Sequence, residues 1–205
     1  MTPEAPVFPI FLKLGGRRVV VVGGGKMAAS KLGGLLHSGA SVTVVAPETT
    51  PEIDRSTAIV LRRGFEPSDL DGAWYVVAAA TPEVNRRVAA AADERRIFVN
   101  AVDDPSNASA YAGGVLRRGG VTVAISTDGH APALAGLLRE SIEELVPEEI
   151  ETWVEEARHQ TSRWRGKGVP MAARRPMLLA ALNRLYLRRG IDPYDEKDGV
   201  GEGRG

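Results

Sequence analysis

The sequence feature that most constrains the fold is a β-branched run that ends in three glycines and opens a helix. Residues 17–22 (RRVVVV) precede glycines 23–25, which is typical of a buried strand entering a glycine turn. Residues 26–38 carry small and apolar side chains at helical spacing, and residues 41–46 form a second β-branched run. A strand, glycine turn, helix and strand within about 30 residues indicate a βαβ unit.

The alternation of strand and helix continues after this unit. Residues 58–62, 74–79 and 97–100 are predicted strands, and residues 82–95 are a predicted alanine-rich helix. This order predicts an α/β fold of the Rossmann type, a doubly wound parallel sheet that binds ligands at the carboxyl ends of its strands.

The second half of the chain has a different character. Residues 115–116 and 121–125 are predicted strands outside the first sheet, 131–146 is a helix with an apolar stripe that must be buried, and 147–165 and 170–189 are further helices. We expect a Rossmann domain, a small mixed region, a helical carboxyl-terminal part and a disordered tail, over residues 1–112, 113–146, 147–198 and 199–205.

Composition excludes several classes of function. The chain has no cysteine, which excludes disulfides and thiolate chemistry and favours a cytoplasmic location. Its 26 basic and 26 acidic residues leave no net charge, which argues against nucleic acid as a partner. No segment approaches the roughly 20 apolar residues of a membrane span, and the first residues do not have the pattern of a signal peptide.

The glycine turn fits the dinucleotide pattern G-x-G-x-x-A. Gly23 permits the tight turn, Gly25 lets a pyrophosphate approach the backbone, and Ala28 lets helix and strand pack closely. The start of the helix then offers amide donors and a partial positive charge to the phosphates. The alternative is a structural glycine turn that binds nothing.

The end of the second strand bears on the choice of dinucleotide. The strand ends at Pro47, and Glu48 stands two residues later than the carboxylate that often binds the adenine ribose. Either Glu48 reaches the ribose or the backbone at Pro47 and Glu48 makes the contact. No arginine directly follows the strand to receive a 2′-phosphate, so NAD is favoured over NADP.

A polar stretch follows the predicted strand at 97–100. Asp103 and Asp104 lie at the sheet edge where a nicotinamide and its substrate would meet, and a carboxylate there can take a proton during an oxidation. The alternative is that both aspartates cap a turn before Pro105. Chemistry alone does not choose between these roles.

Other polar residues have two readings each. Ser126, Thr127 and His130 either cap the helix that follows them or point into a site. Arg117 and Arg118, in a glycine-flanked turn, either receive an anionic substrate or are solvated surface. His37 and His159 are interpreted as structural, and the three histidines show no metal-ligand spacing, so no metal site is predicted.

Several motifs in order resemble one family, from about residue 6 to residue 145. They are PIFL at 9–12, VVGGGKMAASK at 21–31, AAT at 79–81, VN at 84–85, NAVD at 100–103, AIST at 124–127 and P-x-L-A-x-L-L-R-E at 132–140. The family is precorrin-2 dehydrogenase, found alone or as the amino-terminal module of siroheme synthase, and sometimes also a sirohydrochlorin ferrochelatase.

The resemblance implies NAD-dependent oxidation of precorrin-2, a tetrapyrrole with eight carboxylates, to sirohydrochlorin by a homodimer with a central dimerisation region. We expect the apolar stripe from Leu134 to Leu145 to make the dimer; the alternative is a packed monomer core, which has the same periodicity. It implies that Asp103 is the catalytic aspartate. The implied cofactor contacts are Gly23, Gly25, Lys26, Met27, Pro47, Glu48 and Thr81, and the implied substrate contacts are Asn100, Thr127, His130, Arg117 and Arg118.

Two departures from the family pattern affect the substrate side. Tyr111-Ala112-Gly113-Gly114 stands where the family has Phe-x-x-Pro, and Asp128 replaces the first glycine of Ser-Thr-Gly-Gly.

Two other functions compete with the dehydrogenase. One adds iron insertion at the same cleft, with Asp103 or His130 removing pyrrole protons. The other is a non-catalytic NAD-sensing module, which usually has a carboxylate at the second strand tip and does not need the stretch at 100–103.

Overall fold

The computed structural model describes residues 7–188, and the predicted tail at 199–205 lies outside that range. Contacts divide the chain into two compact units. The first contains the described residues up to Gly114 together with Ser126–Ala135, and the second contains Val115–Ile125 and the residues from Gly136 onward.

The first unit is built on a five-stranded parallel sheet in the order β3-β2-β1-β4-β5. Its strands are β1 (Arg18–Val22), β2 (Ser41–Val45), β3 (Ile59–Leu61), β4 (Tyr75–Ala78) and β5 (Phe98–Ala101). Its longer helices are α1 (Lys26–His37) and α3 (Pro82–Glu94), with the four-residue α2 (Pro51–Asp54) after β2 and 3-10 turns at Pro67–Leu70 and Pro105–Asn107. This sheet confirms the predicted doubly wound α/β fold.

Both faces of the sheet are covered, which explains why β1 is apolar at every position from Val19 to Val22. Val20 and Val22 belong to one core with Val88 of α3. Val19 and Val21 belong to the other core, which includes Ala28 of α1. Because side chains alternate along a strand, a strand buried on both faces has no polar position in its interior.

The second unit contains the elements that sequence placed outside the sheet. They are β6 (Gly114–Arg118) and β7 (Val121–Ile125), which pair as a separate two-stranded sheet, and α4 (Pro132–Leu145), α5 (Ile150–Gly166) and α6 (Met171–Arg188). Gly114 and the first residues of α4 are counted with the first unit. None of the helices within residues 7–188 combines the length and the hydropathy of a membrane span.

Candidate functional site

The site lies at the carboxyl edge of the parallel sheet, where the segments after β1, β2, β4 and β5 come together. The order of the strands places β1 beside both β2 and β4, so the chain winds outward in opposite directions from the β1–β4 pair. In open α/β sheets this reversal leaves a crevice at the strand ends, and ligands bind there.

The glycine turn after β1 is close-packed at two positions and open at the third. A Cβ on Gly23, whose φ is +125°, would lie 2.2 Å from the carbonyl oxygen of Ala79. A Cβ on Gly24 would lie 1.8 Å from the carbonyl oxygen of Glu48. A Cβ on Gly25 would have no atom within 4 Å. The first two glycines are therefore required by packing, whereas Gly25 leaves a cradle in front of α1.

Helix α1 starts at this cradle without a side-chain cap. Gly25 is its N-cap residue, has extended backbone angles and has no side chain to bind the free amides of the first turn. Gly25, Lys26 and Met27 are exposed, while Ala28 is fully buried against the sheet. Uncapped amides at a helix start, beside an open glycine, are the arrangement that holds a pyrophosphate, so the residues present fit a dinucleotide.

The segment after β2 lies against the glycine turn. Pro47 and Glu48 are exposed, and the backbone amide of Thr50 donates a 2.9 Å hydrogen bond to the carbonyl oxygen of Gly24. This segment occupies the position where an adenine ribose is bound in folds of this type.

Arg62 lies close to the same segment but is already paired with a carboxylate. Arg62 follows β3 and donates to the hydroxyl of Thr49 at 2.7 Å and to the carboxylate of Asp54 at 2.8 Å. The pKa of Asp54 is lowered, first by the hydrogen bond from the hydroxyl of Thr49 and to a smaller extent by Arg62. The guanidinium of Arg62, which contacts this segment at Thr49, is therefore neutralised by a carboxylate, which fits NAD better than a dinucleotide with a 2′-phosphate.

The segment after β4 is fixed by the buried side-chain amide of Asn85, which belongs to the motif at 84–85 but had no predicted role. Thr81 is exposed and is the N-cap of α3, where its hydroxyl accepts from the amide of Val84 at 3.5 Å. The amide of Ala80 donates to Oδ1 of Asn85 at 2.9 Å, and Asn85 is buried. A polar residue on the buried face of an alanine-rich helix was the available signal for Asn85.

The two aspartates after β5 have different environments. Asp104 accepts from the hydroxyl of Ser106 at 2.8 Å and from the side-chain amide of Asn107 at 2.7 Å, and these bonds, Asn107 first, lower the pKa of Asp104. Asp103 is exposed, has a φ of +56°, and its carboxylate has no hydrogen-bond or ion-pair partner among residues 7–188. The carboxylate of Asp104 is therefore occupied by two side chains of the turn that follows it, whereas the carboxylate of Asp103 is free among the described residues.

The loop from Ser126 to Ala131 belongs to the same unit and contacts the segment after β5. A Cβ on Gly129 would lie 3.0 Å from the ring of Tyr111 and 3.3 Å from Pro105. The hydroxyl of Thr127 accepts from the amide of Ala131 at 3.2 Å, immediately before α4. His130 is exposed. Thr127 thus makes the capping bond, within a loop that lies against the residues following Asp103 and Asp104.

Arg117 and Arg118 lie in β6, in the second unit, and have different surroundings. Arg118 donates to the carbonyl oxygen of Val146 and lies 3.8 Å from a carboxylate oxygen of Glu143. Arg117 is exposed. Arg118 has a structural role at the end of α4, and Arg117 has a guanidinium that faces solvent.

Two family models match the chain. Residues 10–114 match the family described as "Putative NAD(P)-binding", and residues 118–145 match the family described as "Sirohaem biosynthesis protein central". Among solved structures the chain is similar to SirC, precorrin-2 dehydrogenase, with a TM-score of 0.66 and 25% identity over 89% of this chain and 98% of that one.

Curated relatives are siroheme synthases. The chain is 44% identical to siroheme synthase 3 of Aeromonas hydrophila over 69% of its own length, and 45% identical to siroheme synthase of Methylobacillus flagellatus over 68%. It is 39% identical to siroheme synthase of Photorhabdus laumondii over 85%. These matches cover 31%, 31% and 38% of the relatives, so the chain spans about a third of their length.

Proposed function

Because this chain belongs to the NAD(P)-binding family that matches residues 10–114, with siroheme synthases among its relatives, we propose that it oxidises precorrin-2 to sirohydrochlorin with NAD. The observation that carries the proposal is the open cradle at Gly25 on the same sheet edge as the free carboxylate of Asp103. The first feature fits a dinucleotide and the second fits a base.

Each part of the proposed NAD site has a separate task. The first-turn amides of α1, from Lys26 and Met27, would bind the pyrophosphate in the space that Gly25 leaves open. Pro47 and Glu48 would line the adenine ribose, and Thr81 would lie on the nicotinamide side, after β4. NAD, when bound, accepts a hydride from the substrate.

Asp103 would take the proton that leaves the tetrapyrrole when the hydride leaves. Its carboxylate is suited to this because no other side chain in the described residues occupies it, whereas Asp104 already accepts two hydrogen bonds. Thr127 and His130, in the loop that lies against Pro105 and Tyr111, would contact the substrate. The resemblance also implies substrate contacts at Arg117 and Arg118 of the second unit, of which Arg118 is bonded to Val146 and Glu143 in this structure. It implies a third at Asn100, but this residue is only 7% exposed, which fits a support of the site better than a direct contact.

The proposal includes a homodimer formed through α4. Four leucines of this helix are exposed although they form one apolar stripe: Leu134, Leu137, Leu138 and Leu145 at 49, 62, 42 and 80%. A second copy would cover them, because apolar side chains in a contiguous row are costly in water. Leu137→Glu should then yield a monomer by light scattering, and a dimer that survives this change would contradict the assignment.

A cytoplasmic location is also proposed, which the absence of cysteine supports.

The test of function is anaerobic incubation with precorrin-2 and NAD, following NADH and the sirohydrochlorin spectrum. Asp103→Ala should retain NAD binding and lose at least about 100-fold in kcat, the usual contribution of a general base. Asp93→Ala, which removes an exposed carboxylate of α3, is the matched control and should keep wild-type rates. A wild-type protein that binds NAD but leaves precorrin-2 unchanged would instead indicate an NAD-sensing module.

A further inference from the structure

The loop that carries Asp103 starts from β5 and returns to it. We call residues 102–110 the β5 loop. At its start the amide of Val102 donates to the carbonyl oxygen of Ala78 at 2.9 Å, which continues the ladder between β4 and β5. At its end the amides of Ser109 and Ala110 both donate to the carbonyl oxygen of Val99, each at 2.9 Å. Both ends of the loop are therefore held by the sheet.

Two side chains complete the return of the loop. The hydroxyl of Ser109 accepts from the amide of Val99 at 2.9 Å, and the side-chain amide of Asn100 donates to the carbonyl oxygen of Ala110 at 3.0 Å. β5 is an edge strand, so the outward amide of Val99 has no neighbouring strand to pair with. Ser109 supplies the missing acceptor, and Asn100 ties the next residue of the loop to the strand.

Asn100 is an unfavourable choice if stability were the only requirement. The residue is 7% exposed, and its Oδ1 is buried without a hydrogen-bond partner in residues 7–188. A buried acceptor that loses its water costs free energy that an apolar side chain would not. Its burial also keeps Oδ1 from direct contact with a ligand, so the role of Asn100 must be exerted through the loop.

Asp103 depends on its backbone for its position. Its φ of +56° is a conformation that residues other than glycine adopt at a cost, so the surrounding structure must maintain it. Since its carboxylate has no partner in the described part of the chain, the path of the loop alone determines where this carboxylate lies.

We propose that Asn100 and Ser109 are positioning residues that hold the β5 loop in the path that places Asp103 at the carboxyl edge of the sheet. This inference rests on the proposed role of Asp103 as the base. Loss of either side-chain bond frees the end of the loop, lets Asp103 leave its left-handed conformation and misplaces the carboxylate, while the glycine turn after β1 is unchanged.

The experiment compares Ser109→Ala, Ser109→Thr and Asn100→Ala with the wild-type protein. Ser109→Ala and Asn100→Ala should lower kcat by about tenfold or more, as expected for a misplaced catalytic group. Both should leave Kd for NAD within about twofold, so that the loss is confined to kcat. Ser109→Thr keeps the hydroxyl and should restore the wild-type rate.

Ser56→Ala is the matched control, because Ser56 also accepts from a loop amide, that of Ala58 at 3.2 Å, far along the chain from β5. It should lose some thermal stability and no kcat. Hydrogen exchange of residues 102–110 is the second readout and should accelerate in Ser109→Ala and Asn100→Ala only.

Two results would overturn the inference: unchanged exchange in the β5 loop, or accelerated exchange with kcat unchanged. If the wild-type protein does not oxidise precorrin-2, the proposed function fails, and the exchange data alone judge the loop. Faster exchange confined to residues 102–110 then supports the positioning role, and unchanged exchange refutes it.

Discussion

The amide nitrogen of Thr50 lies 2.9 Å from the carbonyl oxygen of Gly24, so the segment after β2 is bound to the glycine turn after β1 by the backbone itself. The same two segments are in contact at Glu48, whose carbonyl oxygen excludes any side chain at Gly24. The proposed pyrophosphate and ribose parts of the site are therefore joined to each other within the first unit. Substitutions in these segments can be chosen so that one affects NAD binding and another affects folding.

Gly25→Val is expected to abolish tight NAD binding with little effect on folding. A Cβ here has no atom within 4 Å, so the side chain extends into the space proposed for the pyrophosphate. Calorimetry should show Kd for NAD raised at least about tenfold, or about 1.4 kcal/mol. Gly33→Ala, inside α1 and equally free of contacts, is the control and should bind NAD normally. Equal affinities in both variants would place the dinucleotide elsewhere.

Gly23→Ala is expected to damage folding. The new Cβ would lie 2.2 Å from the carbonyl oxygen of Ala79, at the seam between β1 and β4, and the φ of +125° is unfavourable for alanine. We expect a loss of at least about 2 kcal/mol in the free energy of unfolding, measured with urea. A variant as stable as the wild-type protein would contradict the packing described for this turn.

Asp54→Asn is expected to raise the affinity for NADP relative to NAD. The change removes the carboxylate that neutralises Arg62, next to Thr49 and the proposed ribose position. A free guanidinium is suited to a 2′-phosphate. Titration with both dinucleotides should show NADP gaining about tenfold or more, and Arg62→Ala added to Asp54→Asn should remove the gain. If Asp54→Asn left the ratio of NADP to NAD affinity unchanged, Arg62 would not lie at the ribose.

Acid should weaken the first unit partly through Asp69. This carboxylate is buried, accepts from Arg63 and from the amide of Glu66 at 2.9 Å, and its pKa is lowered chiefly by the hydrogen bond from Arg63. Its stabilisation is complete above the ordinary pKa of 3.8 and is lost as the pH falls through the lower pKa of the folded state. Asp69→Asn should therefore lower Tm at pH 7 and weaken the dependence of Tm on pH below 4. If the plots of Tm against pH were parallel for the two proteins, the ion pair between Arg63 and Asp69 would not contribute to the acid sensitivity.

High pH should destabilise the first unit partly through ionisation of Tyr75. Burial raises the pKa of Tyr75 to about 12, from 10.0, so its stabilisation is present below pH 10 and is lost as the pH rises through 12. Absorbance of the phenolate should show a component that titrates near pH 12 and is missing in Tyr75→Phe. If both proteins titrate alike, the ring is more accessible to water than its 8% exposure indicates.

Much of the architecture could be predicted because it depends on periodic patterns. The run before the three glycines is apolar at every position because β1 is buried on both faces, and a sequence shows such a run directly. The four-residue helix α2 and the 3-10 turns were not predicted, because a segment that short has no periodicity to recognise.

The site could be predicted only in part. The glycine turn follows from spacing, whereas the different environments of Asp103 and Asp104 depend on backbone angles and on Ser106 and Asn107, which spacing does not reveal. The commitment of Arg118 to a carbonyl group 28 residues away likewise depends on tertiary structure.

Asp128 shows how the left-handed backbone changes the meaning of a motif. It stands where the family pattern has glycine, and its φ of +53° is one that aspartate tolerates better than most residues. The hydroxyl of Ser126 accepts from its amide at 3.1 Å and holds the turn. A search pattern written in residue letters would reject this chain at that position, whereas one written in dihedral angles would accept it. For loops of this kind, conformation is the better search criterion.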